Sequence, residues 1–241
     1  MPNNKQEKTF IHNIIHYICM YYNKNIINKY KIKLMKKNLF IFTLLFCVGS
    51  LTAQNIKLPK PQTTGGKPLM QALQERATNR NIDSKELTPQ VLSNLLWATN
   101  GQNRPDGRRT APTASNCQEI DVYAFLSTGI YLYEPASHSL IKKKDGDFRR
   151  ESNRQGFVGG VNLAFVVDYD KMGRYDGNQE AKDFYSATDV GYVSQNAYLF
   201  CASEGLATVV QGMIDREKLA ELLQITNGKV LLGQAIGYPK K

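Results

Sequence analysis

Histidine and cysteine are scarce in most of this chain. Beyond residue 53 there is one histidine, His138, and there are two cysteines, Cys117 and Cys201. No CxxC or HExxH spacing and no carboxylate-rich loop occurs, so a zinc or calcium site is not expected. The two cysteines stand in a small-residue loop and in an apolar helical stretch, which favours separate thiols over a disulfide. Long hydrophobic runs are also lacking. The most marked one, Leu39 to Val48, is too short to stay in a bilayer as a mature anchor. Surplus charge is missing as well once the N-terminal region is set aside. Residues 1–53 hold eight lysines against the single acid Glu7, so seven of the ten net positive charges belong there. The remainder carries 23 basic and 20 acidic residues, a balance that does not call for nucleic acid.

The N-terminal region differs in kind from the rest of the chain. Residues 1–34 are rich in Asn, Ile, Lys and Tyr, without turn or cap signals. Met35-Lys-Lys then opens a charged segment, Leu39 to Val48 is apolar, and Gly49-Ser-Leu-Thr-Ala53 supplies small residues. This is the pattern of a secretory signal peptide at 35–53, cut before Gln54, and it implies export, to a periplasm in a diderm cell. Translation is then expected to start at Met35, with 1–34 a spurious extension. The alternative is a basic cytoplasmic tail ahead of an uncleaved signal anchor. After cleavage no stable membrane span would remain, and 188 residues suffice for one packed domain.

Residues 54–67 are Pro-, Gly- and Thr-rich and read as an extended arm before a domain at 68–241. Pro68 opens a helix with Leu69, Ala72, Leu73 and Arg76 on one side. The next has Thr88 as N-cap, Pro89 in its first turn and Gly101 as its stop. Ile120–Leu126 and Gly129–Tyr133 form a hairpin pattern around Ser127-Thr128. Lys142–Arg150 reads as a solvated charged turn. Asn162–Asp168 is a strand buried on both faces. Asp189 opens a helix to about Glu204, apolar over most of its circumference and therefore buried. In it, Gln195 and Asn196 are amides that would need partners, supplied either by a neighbouring helix or by a ligand. Ala207–Val210, a helix from Asp215 and a strand Val230–Ile236 complete an α+β order, with helices on a mostly antiparallel sheet.

Four segments have the chemistry of a nucleotide-like ligand. In Arg76-Ala-Thr-Asn-Arg80, two guanidinium groups and a hydroxyl can grip a phosphate dianion. Pro112-Thr-Ala-Ser-Asn-Cys-Gln118 can reach carbonyls and ring nitrogens with donors and acceptors. Gly205 to Gly212 lets backbone approach a ring, and Gly237-Tyr-Pro-Lys-Lys241 brings further cations. Taken singly, each is as well explained as surface or turn.

Jointly, and with Leu87–Asn103, Asp189–Leu206 and Leu232–Pro239, they make almost the whole chain beyond residue 53 resemble the FMN-dependent nitroreductase family. The hairpin Gly129–Tyr133 and Asp147-Phe-Arg149 are similar to its azoline-dehydrogenase branch. The resemblance implies a nitroreductase-like α+β fold, an intertwined homodimer with sites across its interface, and FMN as cofactor. It implies that Arg76 and Thr78 hold the phosphate and ribityl chain, with Arg80 near the pyrimidine carbonyl. It further implies that Thr113, Ser115 and Asn116 reach the flavin from the other subunit, with Gln118 also among the cofactor-binding residues. The backbone of Val209, Val210 and Gln211 would face the ring edge, and Lys240 or Lys241 would return to the phosphate. Where the family has serine the chain has Thr78, and it ends soon after Pro239. The candidate cover of the flavin, Lys142 to Phe157, holds no diagnostic acid or base. The implied activity is transfer of reducing equivalents through flavin N5, from NAD(P)H or another donor to a nitroaromatic, quinone or azoline-like substrate. A non-catalytic exported flavin-binding protein is the alternative, and a secreted structural domain with no ligand is a third reading.

Overall fold

The computed structural model describes residues 55–241, together with His16, Tyr17, Ile18, Met20, Tyr21, Asn23 and Lys24, which are helical and exposed. The expected signal peptide at 35–53, and most of the expected extension at 1–34, lie outside the described residues. Ala53–Lys241 is one unit.

Its frame is a seven-stranded sheet in which every neighbouring pair is antiparallel. The strands are β1 (Ile56–Lys57), β2 (Ile120–Leu126), β3 (Gly129–Glu134), β4 (Ser139–Asp145), β5 (Val161–Asp168), β6 (Ala207–Gln211) and β7 (Gly228–Gly237). Their order across the sheet is β1-β4-β3-β2-β5-β7-β6. The helices are α1 (Leu69–Glu75), α2 (Pro89–Asn100), α3 (Gln179–Glu204) and α4 (Arg216–Leu223).

Alternation along the central strands separates two cores. Ile120, Val122 and Ala124 of β2 join Leu163, Phe165 and Val167 of β5 beneath α2 and α3, where Leu92, Leu95, Leu96, Val190, Val193 and Ala197 meet them. The intervening Tyr123, Phe125, Ala164 and Val166 pack with Leu219 and Leu223 of α4 on the opposite face. Burial on both faces is why β5 reads as an unbroken apolar run.

Helix α2 has the expected ends: the Thr88 hydroxyl accepts from Val91 N at 3.3 Å, and Gly101 closes it on the Trp97 carbonyl. The arm is fastened by β1 against β4 and by a relay from the hairpin. Tyr133 and Ser93 hold the two nitrogens of His138 at 2.9 and 2.7 Å, and Ser93 donates to the Pro59 carbonyl at 2.6 Å.

Three expectations are corrected. Helix α3 begins at Gln179, ten residues before Asp189, with the Asn178 side chain accepting from Ala181 N at 2.9 Å. It is not buried all round either: Phe184 and Tyr192 are exposed, as are Leu69, Met70 and Leu73 of α1. The lysine-rich segment is not simply a turn, because Ser139–Asp145 forms β4. There the Lys142 ammonium lies 5.7 Å from the Tyr131 ring centre and pairs with Asp145, and that of Lys144 lies 5.3 Å from Phe148, so that the aliphatic stems can cover sheet surface.

Candidate functional site

The Arg76–Arg80 segment leaves α1 and runs along the free side of β6. Asn79 N donates to the Thr208 carbonyl at 2.9 Å. Beyond it, Asn81 exchanges bonds with the C-terminal segment: Lys240 N donates to Asn81 O at 3.0 Å, and Asn81 Nδ2 donates to Lys240 O at 3.1 Å. Asp83 N reaches the Tyr238 carbonyl at 2.8 Å, and Ile82 bridges Pro239. Two cation-bearing segments from opposite ends of the domain sequence thus lie side by side. Among the described residues none of Arg76, Arg80, Lys240 and Lys241 has a salt-bridge partner. Like charges gathered without counter-charge suit a bound anion.

Tyr198 of α3 organises this region. Its ring lies 5.5 Å from the Arg76 guanidinium, and its hydroxyl accepts from Val210 N at 2.9 Å and pairs with the Thr78 hydroxyl at 3.0 Å. Under β6, Ser194 donates to Gln234 Oε1 at 2.9 Å and Gln234 Nε2 donates to Thr208 at 3.0 Å. Sequence reasoning passed over Tyr198 and Ser194 and singled out Gln195 and Asn196. Gln195 is exposed, and Asn196 donates to the Thr99 carbonyl of α2, a helix–helix bond. The usable signal was polar groups spaced with the apolar stripe at 190, 193, 197 and 201, and Ser194 and Tyr198 follow that stripe.

Of the third segment, Val209 and Gln211 are buried and Val210 is half-buried, while Glu204, Gly205 and Gly212 are exposed. The amide nitrogen of the Gln211 side chain is buried without a partner among the described residues.

The loop from Thr113 to Gln118 is placed elsewhere on α3. Ala114 N donates to Asp189 Oδ2 at 2.8 Å, Ser115 meets the Tyr175 hydroxyl at 2.8 Å, and Gln118 Nε2 donates to the Gly107 carbonyl at 3.1 Å. Thr113 Oγ1 accepts from Gln118 N at 2.9 Å, and Asn116 is exposed. Asp189 and Tyr198 are nine residues apart on one helix, about 13 Å at its rise per residue. Within one chain, therefore, the loop is not brought to the Arg76 group.

The segment from Asp147 to Phe157 is pinned down. Arg149, buried and paired with Asp147 at 2.7 Å, donates to the carbonyls of Ser84 (3.0 Å) and Gly159 (2.9 Å). Asn162 donates to Phe157 O at 2.8 Å and Asn153 does so at 2.9 Å. Arg149 thereby braces the segment that follows Arg80.

Neither cysteine is set up as a nucleophile. Both are free, and burial raises the thiol pKa of both Cys117 and Cys201, away from the reactive thiolate. Among the described residues no group of three or more His, Cys, Asp and Glu side chains is placed to hold a metal, and no helix is long and apolar enough to cross a membrane.

Residues 73–238 match the family model described as the nitroreductase family. A candidate nitroreductase of Methanocaldococcus jannaschii is 28% identical over 176 residues, which is 68% of this chain and 88% of that protein. The crystal structure of a candidate nitroreductase from Ralstonia eutropha superposes with a TM-score of 0.73 at 38% identity, covering 80% of this chain and 93% of that one. A third, from Desulfovibrio desulfuricans and solved in complex with FMN, shares the fold at 18% identity and a TM-score of 0.53, with 73% and 89% of the two chains covered.

Proposed function

The chain belongs to the nitroreductase family, and from that premise we propose that it is an FMN-dependent oxidoreductase acting as a homodimer. The observation that carries the reading is that the segments bearing Arg76 and Arg80 and bearing Lys240 and Lys241 lie side by side, their cations free of ion pairs among the described residues, with Arg76 and the Thr78 hydroxyl both on Tyr198. That donor set fits a phosphate dianion on a polyol chain, which is what FMN offers.

In this reading Arg76 and Thr78 hold the phosphate and ribityl chain, with Lys240 or Lys241 as further cations. Arg80 sets positive charge near the pyrimidine carbonyl, where it favours the reduced ring. The Thr113–Gln118 loop, with Ser115 and Asn116 exposed, supplies polar contacts to the site of the second copy. The exposed apolar side chains of α1 and α3 (Leu69, Met70, Leu73, Phe184, Tyr192) support such a pairing. When bound, FMN supplies the two-electron chemistry at N5, and the protein supplies orientation and charge. Nitroaromatics, quinones or azolines are the proposed acceptor or donor classes.

The test is anaerobic reduction of the FMN-loaded protein by NADH or NADPH, followed by a nitroaromatic or a quinone. Bleaching at 450 nm (about where oxidised flavin absorbs) and recovery on adding acceptor are expected. Flavin that stays oxidised with every donor and acceptor tried would favour the non-catalytic reading.

We also propose that residues 35–53 are removed on export to the periplasm. NAD(P)H is not expected there, so another donor, or a substrate oxidised by the flavin, would then take its place. Sequencing the exported protein is expected to begin at Gln54, and a product retaining Met35 would overturn the leader assignment.

A further inference from the structure

Glu119 stands at the foot of the Thr113–Gln118 loop, the last residue before β2, and is completely buried. Neither of its carboxyl oxygens has a hydrogen-bond donor among the described residues. A buried carboxylate without a donor is strongly disfavoured, whereas a carboxylic acid is itself a donor. The side chain beside it is Asp189, also buried, whose Oδ2 already accepts the Ala114 N–H at 2.8 Å. The loop between them needs holding. Ser115, Asn116 and Gln118 have φ of 52°, 56° and 53°, three left-handed non-glycine residues within four positions. Such a backbone persists only where its surroundings over-determine it.

We propose that Glu119 and Asp189 share one proton across a carboxyl pair that fastens this loop to α3, and that the pair is a positioning device for the polar face the loop presents. The contribution to flavin binding rests on the function proposed above. The fastening itself does not.

The remaining charged or titratable neighbours are few. Arg109 approaches from the preceding loop, donating to the Ile120 carbonyl at 3.3 Å. Cys117 lies within the loop, and Arg174 faces Cys117 from the Tyr169–Tyr175 turn. Burial is the largest influence on Glu119 and Asp189 adds to it, while its own backbone and Arg109 oppose, leaving the carboxyl raised from 4.5 to about 7. A carboxyl raised on folding stabilises the folded protein fully below its unfolded value of 4.5, and that stability is lost as pH rises through about 7. Above that point a negative charge appears on Glu119, buried where no donor meets it among the described residues.

The experiment is hydrogen exchange at Ala114 and the other loop amides, on the full chain without flavin, at pH 6 and pH 8 after correction for intrinsic rates. Protection in the wild type is expected to fall about tenfold across that interval, following the protonated fraction. Glu119→Gln, which keeps a donor toward Asp189 but cannot ionise, is expected to be protected equally at both pH values. If that variant does not fold, Glu119→Met serves, since it removes the titrating carboxyl and leaves Asp189 to accept the Ala114 N–H. A wild type without the step, or a variant with the same step, overturns the shared proton. FMN affinity that weakens from pH 6 to pH 8 in the wild type but not in Glu119→Gln ties the pair to the flavin site. The exchange step seen in a protein that binds no FMN at either pH supports the fastening and removes the flavin role.

Discussion

Gly237→Ala is expected to lower the melting temperature by roughly 2–8 °C and to weaken FMN binding in the same variant. Gly237 ends β7 where the segment after Arg80 runs alongside the chain that follows it. A Cβ there would press into the Asp83 carbonyl oxygen, 2.9 Å from Ile82 Cγ2 and 3.0 Å from Gly160 N. Two of the three neighbours, the nearest included, are backbone, so relief requires the 82–83 segment to move and not only the Ile82 side chain to turn. Overpacking of this kind costs about 1–3 kcal/mol. Reduced freedom of the unfolded chain offsets only about 0.4–1 kcal/mol of it, so the clash wins. In a domain of this size each kcal/mol moves the midpoint by roughly 2–4 °C. The displaced segment carries Asn81, whose bonds to Lys240 align the two cationic segments. A melting curve and an FMN titration on one preparation check both parts, and an unchanged midpoint would mean that this close approach is not a constraint.

Arg76→Ala is expected to weaken FMN binding by about 10- to 100-fold, the value of a charge-assisted contact to phosphate. The fold should tolerate the change. Arg76 is half-buried, and its side chain makes a cation–π approach to Tyr198, worth about 0.5–1 kcal/mol at such a site. Riboflavin, which lacks the phosphate, provides the control: its affinity should be the same in wild type and variant. Equal FMN affinities would remove Arg76 from the phosphate site.

Much of the fold was legible because local chemistry and tertiary demand agree in it. Thr88, Pro89 and Gly101 bound α2, and the aromatic and β-branched residues of 120–126 and 129–133 form the hairpin in register, Leu126 opposite Gly129. Where the two disagree, the sequence misled. The first turns of α3 (Gln179-Glu-Ala-Lys-Asp183) show no apolar stripe, and only Asn178 marks their start. Three consecutive lysines hid β4, since long stems can lie on a sheet while their charges reach water.

For the site, the residue types in Arg76–Arg80 and Lys240–Lys241 suggested an anion, but their adjacency depends on β7 and β6 lying at one end of the sheet, which no spacing reveals. Glu119 was invisible as anything more than a residue before a strand, because its burial against Asp189 is set by how α3 crosses the loop.

The most direct measurement is the visible spectrum of the purified protein after incubation with FMN and removal of free flavin. The account predicts a retained flavin band at close to one equivalent per chain. A colourless protein that circular dichroism shows to be folded would contradict it, and would leave the nitroreductase fold in this chain serving some other task.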